Sequence, residues 1–328
     1  MGSSDINRLP KISIVVPVYK AECFVGKLIE SIQAQTFCDW ELLLIIDGSP
    51  DYSAEICTQY AATDKRIRSI EQENRGAHGA RLRGCQETRA PYITFVDADD
   101  TLPPYSLQLM YDEIIKGYDI VKAKPCDKMN IVQSVFERQE LNSDQFVQGV
   151  YLGDLAPYLW GALYRRELFD DYIFQLCIEN KLLIGEDWIT NLYVGKRVNK
   201  VLSLNIGVYY YNDNPNSMMH TVAMSDEYGK RIHNVNLSII GNDPKWDYMK
   251  QLKAAACISD FFSPTRSFSH ERYVQLRTFI DKYGVEPLWP YVNKRYLKCF
   301  QLEWMYRLYT WCYRKVKSVL KVKKKLID

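Results

Sequence analysis

The stretch Tyr92–Asp100, YITFVDADD, joins an apolar segment directly to three closely spaced carboxylates. Its first five residues are aromatic or β-branched, and such residues fit the packed, pleated surface of a strand. Asp97, Asp99 and Asp100 follow at once, although like charges repel one another and are costly to bury unpaired. Hard divalent cations bind carboxylate oxygens, so the stretch predicts a metal site just beyond a strand. A solvated acidic turn is the alternative for so short a motif.

The chain on the N-terminal side of this stretch alternates between apolar strands and helical patterns. Lys11–Tyr19, Glu41–Ile46 and Arg68–Glu71 are typical of strands, and the first two are apolar enough to be buried on both faces. Phe24–Gln35 carries an apolar stripe at helical spacing. This alternation predicts an α/β fold, with a mostly parallel central sheet flanked by helices. Ligands bind beyond the carboxyl ends of strands in such sheets, where Asp47 would join the carboxylates of the first motif.

Two common nucleotide-binding motifs are missing from this alternation. A dinucleotide-binding unit places G-x-G-x-x-G after its first strand, whereas this chain has Pro17-Val18-Tyr19-Lys20 there. The glycine- and lysine-containing phosphate loop of P-loop proteins is absent too. The sequence therefore disfavours a nicotinamide or flavin enzyme and a P-loop protein.

The composition is that of an ordinary globular protein. Of the 328 residues, 47% are hydrophobic and 25% are charged. The nine cysteines are scattered and form no C-x-x-C pair, which disfavours a zinc site or a disulfide framework and predicts a reducing compartment. Residues 1–10 are expected to form a disordered polar leader. No apolar run approaches the roughly 18 residues of a spanning helix, so the sequence predicts a cytoplasmic protein.

The C-terminal end is strongly basic, although the formal net charge of the chain is only +2. Residues 294–328 contain eleven Lys or Arg and two acidic residues, a balance of +9 that leaves −7 for the rest. Apolar residues, including Trp304 and Trp311, recur there at helical spacing. A basic amphipathic helix with tryptophans predicts that 291–328 lies peripherally on the inner, cytoplasmic leaflet of the membrane. Nucleic acid attracts the same charges, but it has no use for the tryptophan stripe. The open alternative is packing on the protein's own core or on a second copy, as a homodimer.

The sequence that follows the acidic stretch is less regular. Residues 124–149 show little periodicity, and no element is predicted there. Gly185-Glu186-Asp187-Trp188 opens a helix, and Val201–Tyr211 is typical of a strand. From Asp226 the pattern is mostly helical.

Several short motifs occur along the chain in a fixed order. They are Ile14–Tyr19 (IVVPVY), Ser31–Thr36 (SIQAQT), Glu41–Asp51 (ELLLIIDGSPD), Asn74–Arg81 (NRGAHGAR), Phe95–Asp100 (FVDADD) and Gly185–Trp188 (GEDW). Together they resemble the inverting family 2 glycosyltransferases, which have the GT-A fold. The likeness runs from Ile12 to about Ser217. Three positions depart from the family's pattern: Lys20, Ile46 and Leu82.

The resemblance implies a division of the chain. A GT-A catalytic domain would span 11–220, with a nucleotide-sugar-binding half at 11–123 and an acceptor-binding half at 124–220. A helical extension would follow at 221–290, before the basic helix. The Q-x-x-R-W motif of the family's processive members is absent, so transfer of one sugar per encounter is expected.

The resemblance also implies roles on the donor side. Asp99 would bind Mn²⁺ or Mg²⁺ directly, and Asp97 would help to hold the metal, the ribose and the diphosphate, with Asp100 more often structural. Asp47 would accept a hydrogen bond from the base, which fits uracil better than a purine, and His220 is a candidate third metal ligand. The implied nucleotide-sugar contacts are Pro17, Tyr19, Asp47, Arg75, Arg81, Asp97, Ala98 and Asp99. A helix N-terminal acid is the alternative for Asp47, and the alternative for each arginine is a surface position.

On the acceptor side, the resemblance implies that Asp187 is the catalytic base. An inverting displacement needs a carboxylate on the face opposite the leaving group, and a neighbouring acid such as Glu186 tends to raise its pKa. Glu186, Trp160 and Trp188 are the expected acceptor contacts, the tryptophans as an apolar wall against sugar faces. The alternatives are two acids in the first turn of a helix and tryptophans of the core.

The function implied is a metal-dependent hexosyltransferase that moves a sugar from a UDP-sugar to a glycan, expected to be lipid-linked. Such enzymes build bacterial surface polysaccharides such as capsule or O-antigen. Two other functions stay open. A nucleotide-sugar-binding protein without turnover is disfavoured by the presence of Asp97, Asp99 and Asp187. A metal-dependent nucleotidyltransferase is disfavoured by the missing phosphate loop near the N-terminus.

Overall fold

The chain divides into two compact units in the computed structural model, the first ending at Gly241 and the second beginning at Asn242. The structure describes residues 9–126, 137–212, 214, 226–261, 270–284 and 286–288. The candidate site residues lie among them in the first unit, except His220, which lies outside the described residues.

The first unit alternates strands and helices along most of its length. Its strands are β1 (Ile12–Val18), β2 (Trp40–Asp47), β3 (Ile67–Gln72), β4 (Tyr92–Phe95), β5 (Ile120–Pro125), β6 (Arg138–Leu141), β7 (Ala162–Arg165) and β8 (Val201–Tyr209). Its α-helices are α1 (Val25–Gln33), α2 (Ser53–Thr63), α3 (Gly76–Glu87), α4 (Ser106–Ile114), α5 (Ser143–Leu152), α6 (Asp171–Glu179), α7 (Glu186–Gly195) and α8 (Asp226–Ile240). A short 3₁₀ helix, Arg166–Leu168, follows β7.

These strands form one eight-stranded sheet in the order β3-β2-β1-β4-β7-β5-β8-β6. Strands β3, β2, β1 and β4 are parallel, as crossover helices require. In the other half β5 is parallel to β8, whereas β7 and β6 run antiparallel to their neighbours. The predicted fold class, a mostly parallel α/β sheet flanked by helices, is confirmed.

The centre of the sheet is buried on both of its faces. Strand β2 is buried along its whole length and β1 almost so, as their continuous apolar runs predict. Helix α3 packs very close to β1, because a Cβ on Gly84 would lie only 2.2 Å from a methyl of Val15. This close packing positions Arg81, one turn earlier on α3, next to the sheet edge where the acidic motifs lie.

The expectation of irregular structure at 124–149 is wrong for the described part of that segment. Residues 137–149 contribute to strand β6 and helix α5. Asn142 and Gln145 form a reciprocal capping box at the start of α5, a signal that was present in the sequence. Strand β6 is mostly exposed and has no alternating pattern; it exists because it pairs with the edge of β8.

The second unit is helical where it is described. It contains α9 (Asp247–Phe261), α10 (His270–Tyr283) and two 3₁₀ turns, Pro244–Trp246 and Glu286–Leu288. Within the described ranges, no helix is both long and apolar enough to cross a membrane. The predicted basic helix at 291–328 lies outside the described residues, and the predicted domain bounds stay predictions.

Candidate active site

Three parallel strands bring polar residues to the same edge of the sheet. Tyr19 follows β1, Asp47 ends β2, and Asp97–Asp100 follow β4. The register pairs Val18 of β1 with Ile46 of β2, so these strands end side by side. This is the carboxyl edge at which open α/β sheets bind ligands.

The turn after β1 is tied to the loop after β2. Pro17 is half-buried and still paired with Ile45, whereas Tyr19 is 47% exposed. Lys20 has a positive φ of 52°, and its N–H donates to Ser49 Oγ at 2.7 Å. The ring of Tyr19 is therefore presented to solvent beside the end of β2.

Asp47 is almost completely buried and holds the loop before α3. Its Oδ1 accepts hydrogen bonds from Gln72 Nε2 at 2.7 Å and from the Arg75 N–H at 2.8 Å. Its main-chain carbonyl accepts from Asn74 Nδ2 at 2.9 Å. The side chain of Arg75 is exposed at this edge, as the alternative of a surface arginine anticipated.

The acidic loop after β4 is held mainly through Asp100. Tyr209 Oη donates to Asp100 Oδ2 at 2.7 Å and accepts the Asp97 N–H at 3.0 Å. The Asn212 N–H donates to Asp100 Oδ1 at 2.7 Å. Burial raises the pKa of Asp100 to about 7, although these two hydrogen bonds lower it. Both carboxylate oxygens of Asp100 thus join the loop to the end of β8, which is the structural role expected for this residue.

Asp97 and Asp99 stand on either side of the nearly buried Ala98. Asp99 Oδ2 accepts from Asn214 Nδ2 at 2.9 Å, and the Asp99 carbonyl accepts from Asn212 Nδ2 at 2.8 Å. Burial raises the pKa of Asp97 to about 6; Arg81 lowers it, whereas Asp187 and Asp99 raise it further. This part of the site therefore holds an excess of negative charge.

Arg81 connects this acidic loop to the predicted base. Its guanidinium is buried, and its Nη2 lies 3.2 Å from Asp97 Oδ1. Its Nη1 lies 3.2 Å from Glu186 Oε1 and 3.0 Å from Asp187 Oδ1. Burial alone would lower the pKa of Arg81, but the three carboxylates raise it above its ordinary value. One cation therefore faces three acids, and the surface alternative for Arg81 is wrong.

Asp187 lies in the first turn of α7, where the helix dipole favours an acid. Its Oδ2 accepts the Leu159 N–H at 3.1 Å. Its Oδ1 makes the ion pair with Arg81 but has no hydrogen bond of good geometry within the described residues. Burial, and next the charge of Asp187, raise the pKa of Glu186 to about 7.

The loop that precedes α7 is braced from two sides. Tyr228 Oη on α8 accepts the N–H groups of Leu183 and Ile184, at 2.6 and 2.8 Å. His78 on α3 is buried, and its Nε2 donates to the Leu182 carbonyl at 2.9 Å. Gly185 has a φ of +85°, which a residue with a side chain adopts only with strain. The backbone that positions Asp187 is therefore closely constrained.

The two tryptophans predicted to line an acceptor site have different surroundings. Trp160 is stacked on Tyr158, with ring centroids 4.1 Å apart, and on Tyr209, at 4.4 Å. Two rings that close and nearly parallel to one indole cannot share a face, so both faces of Trp160 are covered. Trp188 donates its Nε1–H to the Val150 carbonyl at 2.9 Å and packs beside Tyr151.

Asp97 and Asp99 offer the oxygen donors that Mg²⁺ and Mn²⁺ prefer. Among the described residues, however, no group of three His, Cys, Asp or Glu side chains is arranged to hold a metal ion. The third ligand proposed from the sequence, His220, lies outside those residues.

The N-terminal part of the chain matches a known family. Residues 13–173 match the profile described as glycosyl transferase family 2. Through this domain the chain belongs to glycosyltransferase family 2. The family resemblance of the sequence motifs is thereby confirmed.

Curated relatives agree with this assignment. An uncharacterized glycosyltransferase of Bacillus subtilis, EpsJ, is 34% identical over 219 residues, which are 64% of this chain and 63% of EpsJ. The glycosyltransferase GlyA of Streptococcus pneumoniae is 32% identical over 225 residues, which are 61% of this chain and 30% of GlyA. The match thus spans less than two thirds of either relative.

A solved structure shares the fold. Residues 1–349 of TarS from S. aureus, crystallised with UDP-GlcNAc, superpose with a TM-score of 0.58 at 18% identity. The similarity covers 85% of this chain and 81% of the TarS chain. This likeness confirms the GT-A type of fold predicted for the chain.

Several residues that build the site were not singled out from the sequence. Asn191 lies one helical turn after Asp187, and its Nδ2 reaches the carbonyls of Pro157, Tyr158 and Asp187 at 2.6, 3.1 and 3.1 Å. The i, i+4 spacing was a usable signal for this residue. Lys122 is buried in β5, and its Nζ donates to the Tyr158 carbonyl at 2.6 Å. No sequence signal distinguishes this lysine from an exposed one.

Proposed function

We propose that this protein transfers a single sugar from a UDP-sugar to a glycan acceptor, with inversion at the anomeric carbon. The observation that carries the proposal is the bridge made by Arg81. Its guanidinium joins Asp97, on the donor side, to Asp187, the candidate base, with both N–O distances near 3 Å. An inverting transfer needs these two functions within one substrate's length of each other.

The carboxyl edge is the proposed donor site. Tyr19 supplies an exposed ring beside Pro17, and the Asp47 carboxylate supplies an acceptor for a base N–H. Both Asp47 hydrogen bonds described above use Oδ1, which leaves Oδ2 for the imide N–H of uracil. The UDP-GlcNAc named for the TarS crystal is consistent with a uridine donor. Arg75 is the arginine placed to reach the diphosphate, because Arg81 is already shared among three carboxylates.

The donor set at the acidic loop fits a divalent cation. Asp97 and Asp99 supply carboxylate oxygens, and Arg81 balances only one of the three carboxylates around it. Mn²⁺ or Mg²⁺ held there would stabilise the charge of the departing diphosphate. Asp100 is not part of the proposed ligand set, since Tyr209 and Asn212 use both of its oxygens.

Asp187 is the proposed general base. The acceptor hydroxyl oxygen forms the new bond to the anomeric carbon and gives its proton to Asp187. The bond from that carbon to the diphosphate breaks, and its electron pair leaves with UDP. The Leu159 N–H holds Asp187 Oδ2, so Oδ1, which lacks a well-formed hydrogen bond, is the oxygen available for the proton.

The glycan acceptor is proposed to be lipid-linked, and the product to belong to a bacterial surface polysaccharide such as capsule or O-antigen. The support is the relationship to EpsJ and GlyA and the basic, tryptophan-containing segment at 291–328. Such a segment would bring the enzyme to the inner leaflet, where lipid-linked substrates are found.

The test is incubation with UDP-glucose, UDP-galactose and UDP-N-acetylhexosamines, with Mn²⁺ or Mg²⁺, scored for UDP. We expect UDP release from at least one donor, even slowly to water. Binding of a donor without any release would instead indicate an inactive nucleotide-sugar-binding protein. Release of pyrophosphate from UTP and a sugar 1-phosphate, without UDP from any donor, would indicate a nucleotidyltransferase.

A further inference from the structure

The segment 158–160 places one partly exposed ring next to the candidate base. The Leu159 N–H donates to Asp187 Oδ2 at 3.1 Å, and Tyr158 is the residue immediately before it. Consecutive Cα atoms are about 3.8 Å apart. The ring of Tyr158 therefore lies on the chain directly beside the group proposed to deprotonate the acceptor.

The inner face of this ring is supported by a stack of aromatic side chains. Tyr158 and Trp160 are almost parallel, with an angle of 4° between their planes and centroids 4.1 Å apart. Tyr209 supports the opposite face of Trp160 at 4.4 Å and 15°, and its hydroxyl is bonded to Asp97 and Asp100. The stack thus extends outward from the acidic loop and ends at Tyr158, which is 38% exposed.

The backbone of Tyr158 is held by two buried polar side chains. Lys122 Nζ donates to its carbonyl at 2.6 Å, and Asn191 Nδ2 donates to the same oxygen at 3.1 Å. Burying a lysine is costly, and a single hydrogen bond to a neutral carbonyl only partly offsets that cost. A partly exposed loop residue rarely receives two such anchors for stability alone. The arrangement fits a residue whose exact position matters to a ligand.

We propose that the outer face of the Tyr158 ring is a stacking surface for a pyranose ring of the acceptor. A flat, rigid aromatic face suits the C–H face of a sugar, because both are apolar in the centre and surrounded by hydrogen-bonding groups. Trp160 supports this surface from behind, since its own faces are covered, and Tyr158 makes the contact. The inference deepens the proposed function, on which the identity of the sugar as acceptor rests.

The test uses the full chain with saturating UDP and three probes: the methyl β-glycosides of glucose, galactose and N-acetylglucosamine. Saturation-transfer NMR reports which protons of each glycoside lie against the protein. In the wild type we expect transfer to the protons on one pyranose face for at least one probe. Tyr158→Phe should retain it, whereas Tyr158→Leu should weaken apparent affinity by about 3- to 10-fold, the usual range for an aromatic contact.

Tyr172→Leu is the matched control, because Tyr172 is an exposed tyrosine of α6 that is not part of the stack. It should leave glycoside binding unchanged, and none of the variants should alter UDP release to water. The proposal is overturned if no probe binds the wild type or if Tyr158→Leu binds as the wild type does. Glycoside binding through Tyr158 without UDP release from any donor would refute the proposed function instead, so the two failures are distinguishable.

Discussion

Asp187→Asn is the substitution that tests the proposed mechanism most directly. The amide keeps the size of the carboxylate but cannot accept the proton of the acceptor hydroxyl. We expect turnover to fall by about 10²- to 10⁴-fold, the usual contribution of a positioned base. That corresponds to about 2.7 to 5.4 kcal/mol of barrier. Donor binding should be nearly unchanged, because the donor contacts lie on the other side of Arg81.

The structure predicts a second, smaller effect on stability. An asparagine can keep its oxygen towards the Leu159 N–H, but its NH₂ group then faces Arg81 Nη1, where a carboxylate oxygen now lies 3.0 Å away. Two donors would meet at that contact. A lost hydrogen bond to a charged group is worth about 1.5 to 3 kcal/mol of unfolding free energy. Removing the like charge beside Glu186 offsets part of this, so we expect a loss in the lower half of that range.

The assay is UDP release with the best donor and acceptor, with thermal unfolding and donor titration measured on the same samples. Glu186→Gln is the matched control in the same helical turn. Its Oε1 can still accept from Arg81 Nη1, as Glu186 does at 3.2 Å, and turnover should fall less than tenfold. The base assignment is refuted if Asp187→Asn keeps turnover within tenfold of the wild type. It is refuted equally if Glu186→Gln loses as much activity as Asp187→Asn.

Three further outcomes are expected. Asp99→Ala should abolish transfer and weaken UDP binding chiefly when Mn²⁺ or Mg²⁺ is present; equal wild-type activity in excess EDTA would contradict the metal role. Burial, and next Arg81, lower the pKa of His78 to about 4 from an ordinary value of 6.5, so the unfolded state binds the extra proton between these values and unfolding free energy falls as pH drops through this window. By pH 4 the loss is about 3 kcal/mol, and denaturant unfolding of His78→Gln at pH 7 and 4.5 should show a shallower decline than the wild type; parallel declines would remove His78 as the cause. Liposome flotation with anionic lipid should retain the full chain and not one truncated after Pro290, whereas equal behaviour of the two would exclude 291–328 as an anchor.

The sequence was sufficient to predict the sheet and the edge at which the site lies. Strands β1 and β2 are continuous apolar runs, and such runs need burial on both faces whatever surrounds them. Asp47 and Asp97 follow their strands directly, so the strand direction alone places them at the carboxyl edge. The family motifs, confirmed by the profile match at 13–173, also depend on short, local patterns. Helix α5 was missed although its capping box was readable, because its four polar starting residues follow a segment without periodicity.

Only the tertiary structure decided which of these residues act on one another. Arg81 was expected to bind diphosphate or to lie on the surface, but it pairs with Asp97 sixteen residues away and with Glu186, 105 residues away. Trp160 is an apolar residue near a predicted acceptor site, and nothing in its neighbours along the chain shows that Tyr158 and Tyr209 cover both of its faces. Lys122 has the same side chain as any exposed lysine until the packing of β5 buries it. Local patterns determine where an element begins and which face is apolar, whereas ion pairs, stacking and burial depend on contacts between elements distant in sequence, and only the folded chain brings these together.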